Sequence, residues 1–258
     1  MDAIYRLEES RAIPSRFAAG PWGPSQHGSA PTLLIAHVAE TYPSSQPMRL
    51  ARLTVDLMRP LPLAPTEFRT EIVRDGRKIR ILRVSLFSDD TLCVIGTVLQ
   101  VRREAVSLPP GADERTFTMP LPEQSVPGKT GPLQPDLLTK MDIRVATGDG
   151  FIAPGPSAAW FRINGPLIEG VPSSPLLRTA ILSDFCNGVG HVLDFRRYTF
   201  INPDVTMSLA RDPVGDWILV DAETWLGPDG GGNAFARLAD RQGYFGHAIQ
   251  NLLIEQHG

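Results

Sequence analysis

Two polar side chains stand where the surrounding pattern calls for hydrocarbon. In "PSSPLLRTAILSDFCNG", a helical advance of about 100° per residue gathers Leu176, Leu177, Ala180 and Ile181 into one apolar arc. Asp184 falls in the middle of that arc, whereas Arg178, Thr179 and Ser183 lie outside it. In "GYFGHAIQNLLIEQ", a strand by its alternation, Gln250 shares a face with Ala248, Leu252 and Ile254. An unpaired buried amide costs on the order of 1 to 3 kcal/mol. Burial also raises the pKa of a carboxyl unless hydrogen bonds or a positive charge favour its ionised form. Asp184 therefore needs partners or a chemical role; the plain alternative is that it braces the loop "CNGVGH".

Other reactive residue types offer less. His27, in "SQHGSAP", reads first as a turn histidine held by backbone contacts and second as a residue meeting substrate between two halves of the chain. Cys186 has no assignable histidine beside it, and buried thiols are usually inert. Asn187-Gly188 suits the left-handed close of a helix. There is no G-x-S-x-G elbow, no phosphate-binding glycine loop before a lysine and no H-x-x-E-H spacing, so neither a metal nor an organic cofactor is expected. The glycine-rich "GPDGGGN" lies between two strands and reads as a hairpin turn.

Composition narrows the partners. The formal net charge is −3 and the basic residues are dispersed apart from pairs such as Arg102-Arg103 and Arg196-Arg197, which disfavours a nucleic-acid surface. The N-terminal "MDAIYRLEESRAIPSRF" lacks the apolar run of a signal peptide, and no stretch approaches the ~20 apolar residues of a membrane span. A cytoplasmic protein is expected, with Cys93 and Cys186 as reduced thiols.

The elements that must hold Asp184 and Gln250 occur in a repeated order. "SAPTLLIAHVAETY" reads as a helix with Ser29 as N-cap and Pro31 in its first turn. Four strand-like runs follow, "RLARLTVDLMRP", "TEFRTEIVRDG", "RKIRILRVSLFS" and "TLCVIGTVLQVRR", the last three separated by the turns "RDGR" and "SDDT". After residue 150 the same order returns: the Asp184 helix, then "DVTMSLARD", "DWILVDAETWL", "NAFARLAD" and "YFGHAIQNLLIE". Local matches set Arg59 opposite Arg211 and Gln100 opposite Gln250. Glu40 occupies the place of Asp184 in the first helix but falls off its apolar arc, which leaves one inward acid per chain. "AIYRLEE" and "MDIRVA" are expected to open the two halves. A segment rich in Pro and Gly divides the chain into an N-terminal unit 1–104, a linker 105–135 and a C-terminal unit 136–258.

A helix followed by an antiparallel meander, present twice, resembles a double hotdog. The stretches "HGSAP", "LTVDLMRP", "RDGRKIRILRVSL", "SDFCNG", "NPDVTMSLARDP" and "AIQNLLI" resemble the acyl-CoA thioesterases of that superfamily, in order and over nearly the whole chain. The resemblance implies an α+β fold with one continuous sheet around two central helices, and hydrolysis of a fatty or related acyl-CoA. It also implies that Asp184, Asn202 and Gln250 hold the attacking water, with Asn202 standing where Thr or Ser is expected. Thr206, taken as lying on the same face, offers a substitute hydroxyl, and His27, Gly28 and Thr206 are the expected substrate contacts. At such a site, main-chain N–H groups near a helix N-terminus would stabilise the oxyanion. Arg196 and Arg197 either face coenzyme A phosphates or are a solvated pair.

Two other readings stay open. A hotdog dehydratase requires a histidine paired with an acid, and no such pair is legible here. A non-catalytic acyl-thioester or lipid-binding protein would keep the fold without turnover. Either a monomer or a homo-oligomer joined through sheet edges fits the fold.

Overall fold

The run "SAPTLLIAHVAET" is apolar on nearly every side, so it can be stable only where it is surrounded. The computed structural model, which describes all residues except Met1, Trp22, Glu114, 131–134 and Gly258, buries it as α1 (Ser29–Thr41), with every residue from Ser29 to Ala39 out of water. Ahead of it lie β1 (Tyr5–Glu8) and β2 (Arg11–Pro14); behind it come β3 (Met48–Leu57), β4 (Thr66–Asp75), β5 (Ile79–Ser88) and β6 (Thr91–Arg102). The second half contains β7 (Val126–Pro127), β8 (Met141–Thr147), β9 (Ser157–Ile163), α2 (Pro175–Leu182) and α3 (Cys186–Gly190). It closes with β10 (Tyr198–Ile201), β11 (Asp204–Leu209), β12 (Trp217–Leu226), β13 (Gly231–Asp240) and β14 (Gly243–Gln256).

All the strands join one 14-stranded sheet, with the path β1-β2-β4-β5-β6-β3-β11-β14-β13-β12-β9-β8-β7 and β10 added against β14. The first half contributes the order β4-β5-β6-β3 and the second β12-β13-β14-β11, so the repeated order of elements is also a repeated topology. The halves meet where β3 and β11 pair antiparallel, Val55 opposite Val205 and Thr54 opposite Thr206. The architecture is the expected α+β double hotdog, and one core runs through it from α1 and α2 to the inner faces of both meanders.

Strand alternation sorts the residues as the sequence pattern requires. Gly96, Val98 and Gln100 of β6 are buried, as are Ala248, Gln250 and Leu252 of β14, while their neighbours in sequence are half-buried or exposed. Gly96 is where α1 comes closest to the sheet: a Cβ there would lie 2.6 Å from Ile35 Cγ2. The "GPDGGGN" stretch makes the β12–β13 hairpin connection, with Gly230 at φ +82.

Three local expectations need correction. Gly28, not Ser29, is the N-cap of α1 and makes no side-chain cap; the Ser29 hydroxyl instead meets His27 Nδ1 at 2.8 Å. Asn187-Gly188 does not close its helix in the left-handed region: after α2 the chain tightens into a 3₁₀ turn, Ser183–Phe185, and re-enters α3 through Gly190. Each half opens with a pair of strands, β1-β2 and β8-β9, rather than one. Strand β9, "SAAWFRI", is hard to read because all but one of its residues are buried, which removes the period-2 signal. Its outer face is covered by the segment after β6: Phe117, Met119 and Leu121 pack on the cluster of Ala158, Trp160, Leu219 and Ala239, and Trp160 Nε1 donates to the Pro120 carbonyl.

Overpacking a filled core costs about 1–3 kcal/mol. Gly96→Val should therefore destabilise the protein by that amount in urea unfolding, and Ile35→Ala in the same chain should recover part of the loss. Simple additivity of the two changes would show that α1 does not bear on β6 at this point.

Candidate active site

Asp184 arrives at the site on the 3₁₀ turn between α2 and α3, and the tighter winding keeps its carboxyl directed inward, with the side chain only 2% exposed. A carboxylate so placed must find donors. Oδ1 accepts from Gln250 Nε2 at 2.7 Å and from Asn202 Nδ2 at 2.8 Å; Oδ2 lies 2.9 Å from His27 Nδ1. Nδ1 also meets the Ser29 hydroxyl at 2.8 Å and the Ser29 N–H at 3.2 Å, so it donates to Oδ2 when it carries the imidazole proton and accepts from Ser29 when it does not. α1 begins at the same spot, for a Cβ on Gly28 would come within 2.9 Å of Oδ2, and the positive end of the helix favours the carboxylate's charge.

Gln250 is engaged at both ends. Its Nε2 also reaches the Asp184 carbonyl at 3.2 Å, and its Oε1 accepts the Asn187 N–H at 3.1 Å, tying β14 to the start of α3. Asn202 sits in the break between β10 and β11 and donates a second, longer bond to the Asp204 carbonyl. The amide donors thus hold the carboxylate. Thr206 does not join them. The break at Asn202 and Pro203 shifts the alternation, so Val205 and Met207 face the core while the Thr206 hydroxyl bonds Thr54 Oγ1 across the β3–β11 seam.

His27 is more than a turn residue: it supplies the cross-half partner of Asp184, so the histidine–acid pair that the sequence does not reveal is present. The polar group lines a pocket whose other walls include Phe151, Phe185, Phe195, Phe200 and Leu252. Cys186 is fully buried, its thiol bonded to the Ser183 carbonyl and pushed up in pKa by burial, which keeps it an unreactive thiol. Arg196 and Arg197 are exposed, Arg196 forking onto Asp194. Among the described residues no cluster of His, Cys, Asp and Glu is arranged to hold a metal ion, and no helix is long and apolar enough to cross a membrane.

The related place in the first half is built differently. Gln100 is buried like Gln250, but its Nε2 donates to the Ala39 carbonyl, and its Oε1 has no partner. Glu40 turns outward and accepts from the Ser174 hydroxyl at the start of α2. In both halves the acid at the end of one helix meets the start of the other, yet only Asp184 is drawn inside.

Comparison with known proteins places this geometry in a family. Residues 18–101 match the profile of the acyl-CoA thioesterase N-terminal domain, and residues 112–254 match that of the acyl-CoA thioesterase C-terminal domain. A search of curated sequences found no match. Among solved structures, an acyl-CoA thioesterase II, TesB2, from Mycobacterium marinum aligns with TM-score 0.67 at 18% identity, covering 98% of this chain and 94% of that one. The tesB protein of Mycobacterium avium subs. paratuberculosis aligns with TM-score 0.68 at 17% identity, covering 97% and 94%. A hot dog fold protein from Alicyclobacillus acidocaldarius aligns with TM-score 0.75 at 14% identity, covering 98% and 96%. At these identities the structures support the fold alone.

Removing one partner from a buried, satisfied group costs about 1–3 kcal/mol. Gln250→Ala should destabilise by that amount. Combined with Asp184→Asn, it should show a coupling above about 0.5 kcal/mol in a double-mutant cycle read by chemical denaturation. Strict additivity would mean that the two side chains do not share a hydrogen bond in solution.

Proposed function

The chain belongs to the acyl-CoA thioesterase family, which comprises thioester hydrolases, and on that premise we propose that it cleaves an acyl-CoA by direct attack of one water held at Asp184. The observation that carries this reading is the use of the carboxylate's lone pairs. Two amide donors fill Oδ1, whereas Oδ2 has only His27, which leaves one acceptor position on the pocket wall. A water donating there has its own lone pair free for the thioester carbon.

The reaction balances without any other group. The water oxygen bonds to the carbonyl carbon as its proton passes to the Asp184–His27 pair, and charge grows on the carbonyl oxygen beside the N-terminus of α1. The tetrahedral intermediate collapses by breaking the C–S bond; the proton goes to the departing sulfur, giving a carboxylic acid and the coenzyme A thiol. Asn202 and Gln250 keep the carboxylate in place throughout, which Asn does with an amide as well as Thr or Ser would with a hydroxyl.

A second reading rests on the His27–Asp184 pair. Such a pair suits removal of water from a 3-hydroxyacyl thioester, so the assay must distinguish thiol release from the formation of a conjugated enoyl thioester. Purified protein is offered acyl-CoAs and a 3-hydroxyacyl-CoA while free thiol and enoyl absorbance are followed. Thiol release without enoyl absorbance is expected. Asp184→Asn should lower kcat by about 10²-fold to 10⁴-fold with the fold retained, while Asn202→Thr should change it by less than about tenfold. Full turnover by Asp184→Asn would refute the assignment of the base.

A further inference from the structure

The chamber in front of Asp184 is small, with about 90 Å³ of free volume. Behind it lies a larger groove of about 380 Å³, lined among the described residues by Ile152, His191 and Arg196 and others. Phe151 and Phe195 line both spaces, so the two rings form a shared wall.

Leu252 stands on β14, whereas these two rings lie on connecting segments; Phe151, 8% exposed, is packed into the same core as Phe185 and Phe200, at 5% and 3%. Phe151 sits in the 148–156 connection between β8 and β9, where Gly148, Gly150 and Gly155 take positive φ, and it touches Phe161 and Phe185 edge-on at 6.1 and 6.2 Å. Phe195 is half-buried on the segment after α3, 4.5 Å from the His191 ring and 5.4 Å from that of Phe200. A Gly155 N–H to His191 carbonyl bond of 2.7 Å joins the two segments. Neither ring belongs to a strand or helix.

We propose that Phe151 and Phe195 limit the length of the acyl group, and that the preferred substrates carry compact acyl chains: short, branched or aryl. The identity of the ligand rests on the hydrolase reading above. At about 90 Å³ the chamber has room for a short or compact acyl group rather than for a long straight chain. Up to that limit each buried methylene raises kcat/KM about fourfold, and beyond it the chain meets the two rings.

Thiol release is measured for straight-chain acyl-CoAs from acetyl to palmitoyl and for benzoyl-CoA, with wild type, Phe151→Ala, Phe195→Ala and the gentler Phe195→Leu, each checked for folding by circular dichroism. Wild-type kcat/KM should peak near hexanoyl to octanoyl. The dodecanoyl-to-hexanoyl ratio should rise at least tenfold in the alanine variants and less in Phe195→Leu. A wild-type optimum at palmitoyl, or folded variants whose ratio does not move, overturns the proposal. The same thioesters are titrated calorimetrically into Asp184→Asn with and without Phe195→Leu. If the wild type releases no thiol from any substrate, the hydrolase reading fails. The gate then stands or falls on whether tight binding extends to longer chains when Phe195 is shortened.

Discussion

The antiparallel pairing of β3 with β11 is the interaction on which the remaining architecture depends. Each meander alone would expose a strand edge and half of a hydrophobic face. Joined at the seam, they form one sheet that surrounds α1 and α2, and the core becomes continuous. The two-fold relation across the seam also sets the helices in opposite senses. The start of α1 therefore lies at the end of α2, and the start of α2 lies at the end of α1. The candidate active site is a consequence of this arrangement: Asp184, Asn202 and Gln250 come from one half, and His27 and the α1 N-terminus come from the other.

The seam creates two such junctions, and the burial of charge explains why they differ. A carboxylate inside a core is tolerated only with donors to replace water. Around Asp184 they come from a strand and a strand break of its own half and from a turn histidine of the first half. In the first half the matching glutamine bonds to backbone, and the acid stays at the surface with a serine hydroxyl. Duplication of the fold thus did not duplicate the site, because the donor set around the acid is present only once.

Much of the fold was legible because its signals are local. Helical period placed Asp184 inside and Glu40 outside; strand period placed Gln100 and Gln250 inside. The signals failed where local pattern is erased or interrupted. Strand β9 is covered on both faces and so lost its alternation, while the break at Asn202 and Pro203 reversed the face of Thr206. At Asn187-Gly188, a 3₁₀ turn let the helix continue past residues that commonly end one.

By itself, the amino-acid sequence determined which side chains leave water and in what order helices and strands repeat, since both follow from periodicity along a few consecutive residues. Tertiary structure alone decided what those side chains meet. That His27 faces Asp184, that Asn202 and Gln250 donate to its carboxylate, and that Phe151 and Phe195 line the chamber all depend on segments distant in the chain. The pairing of β3 with β11 brings the two halves together, and no local pattern encodes the contacts across that seam.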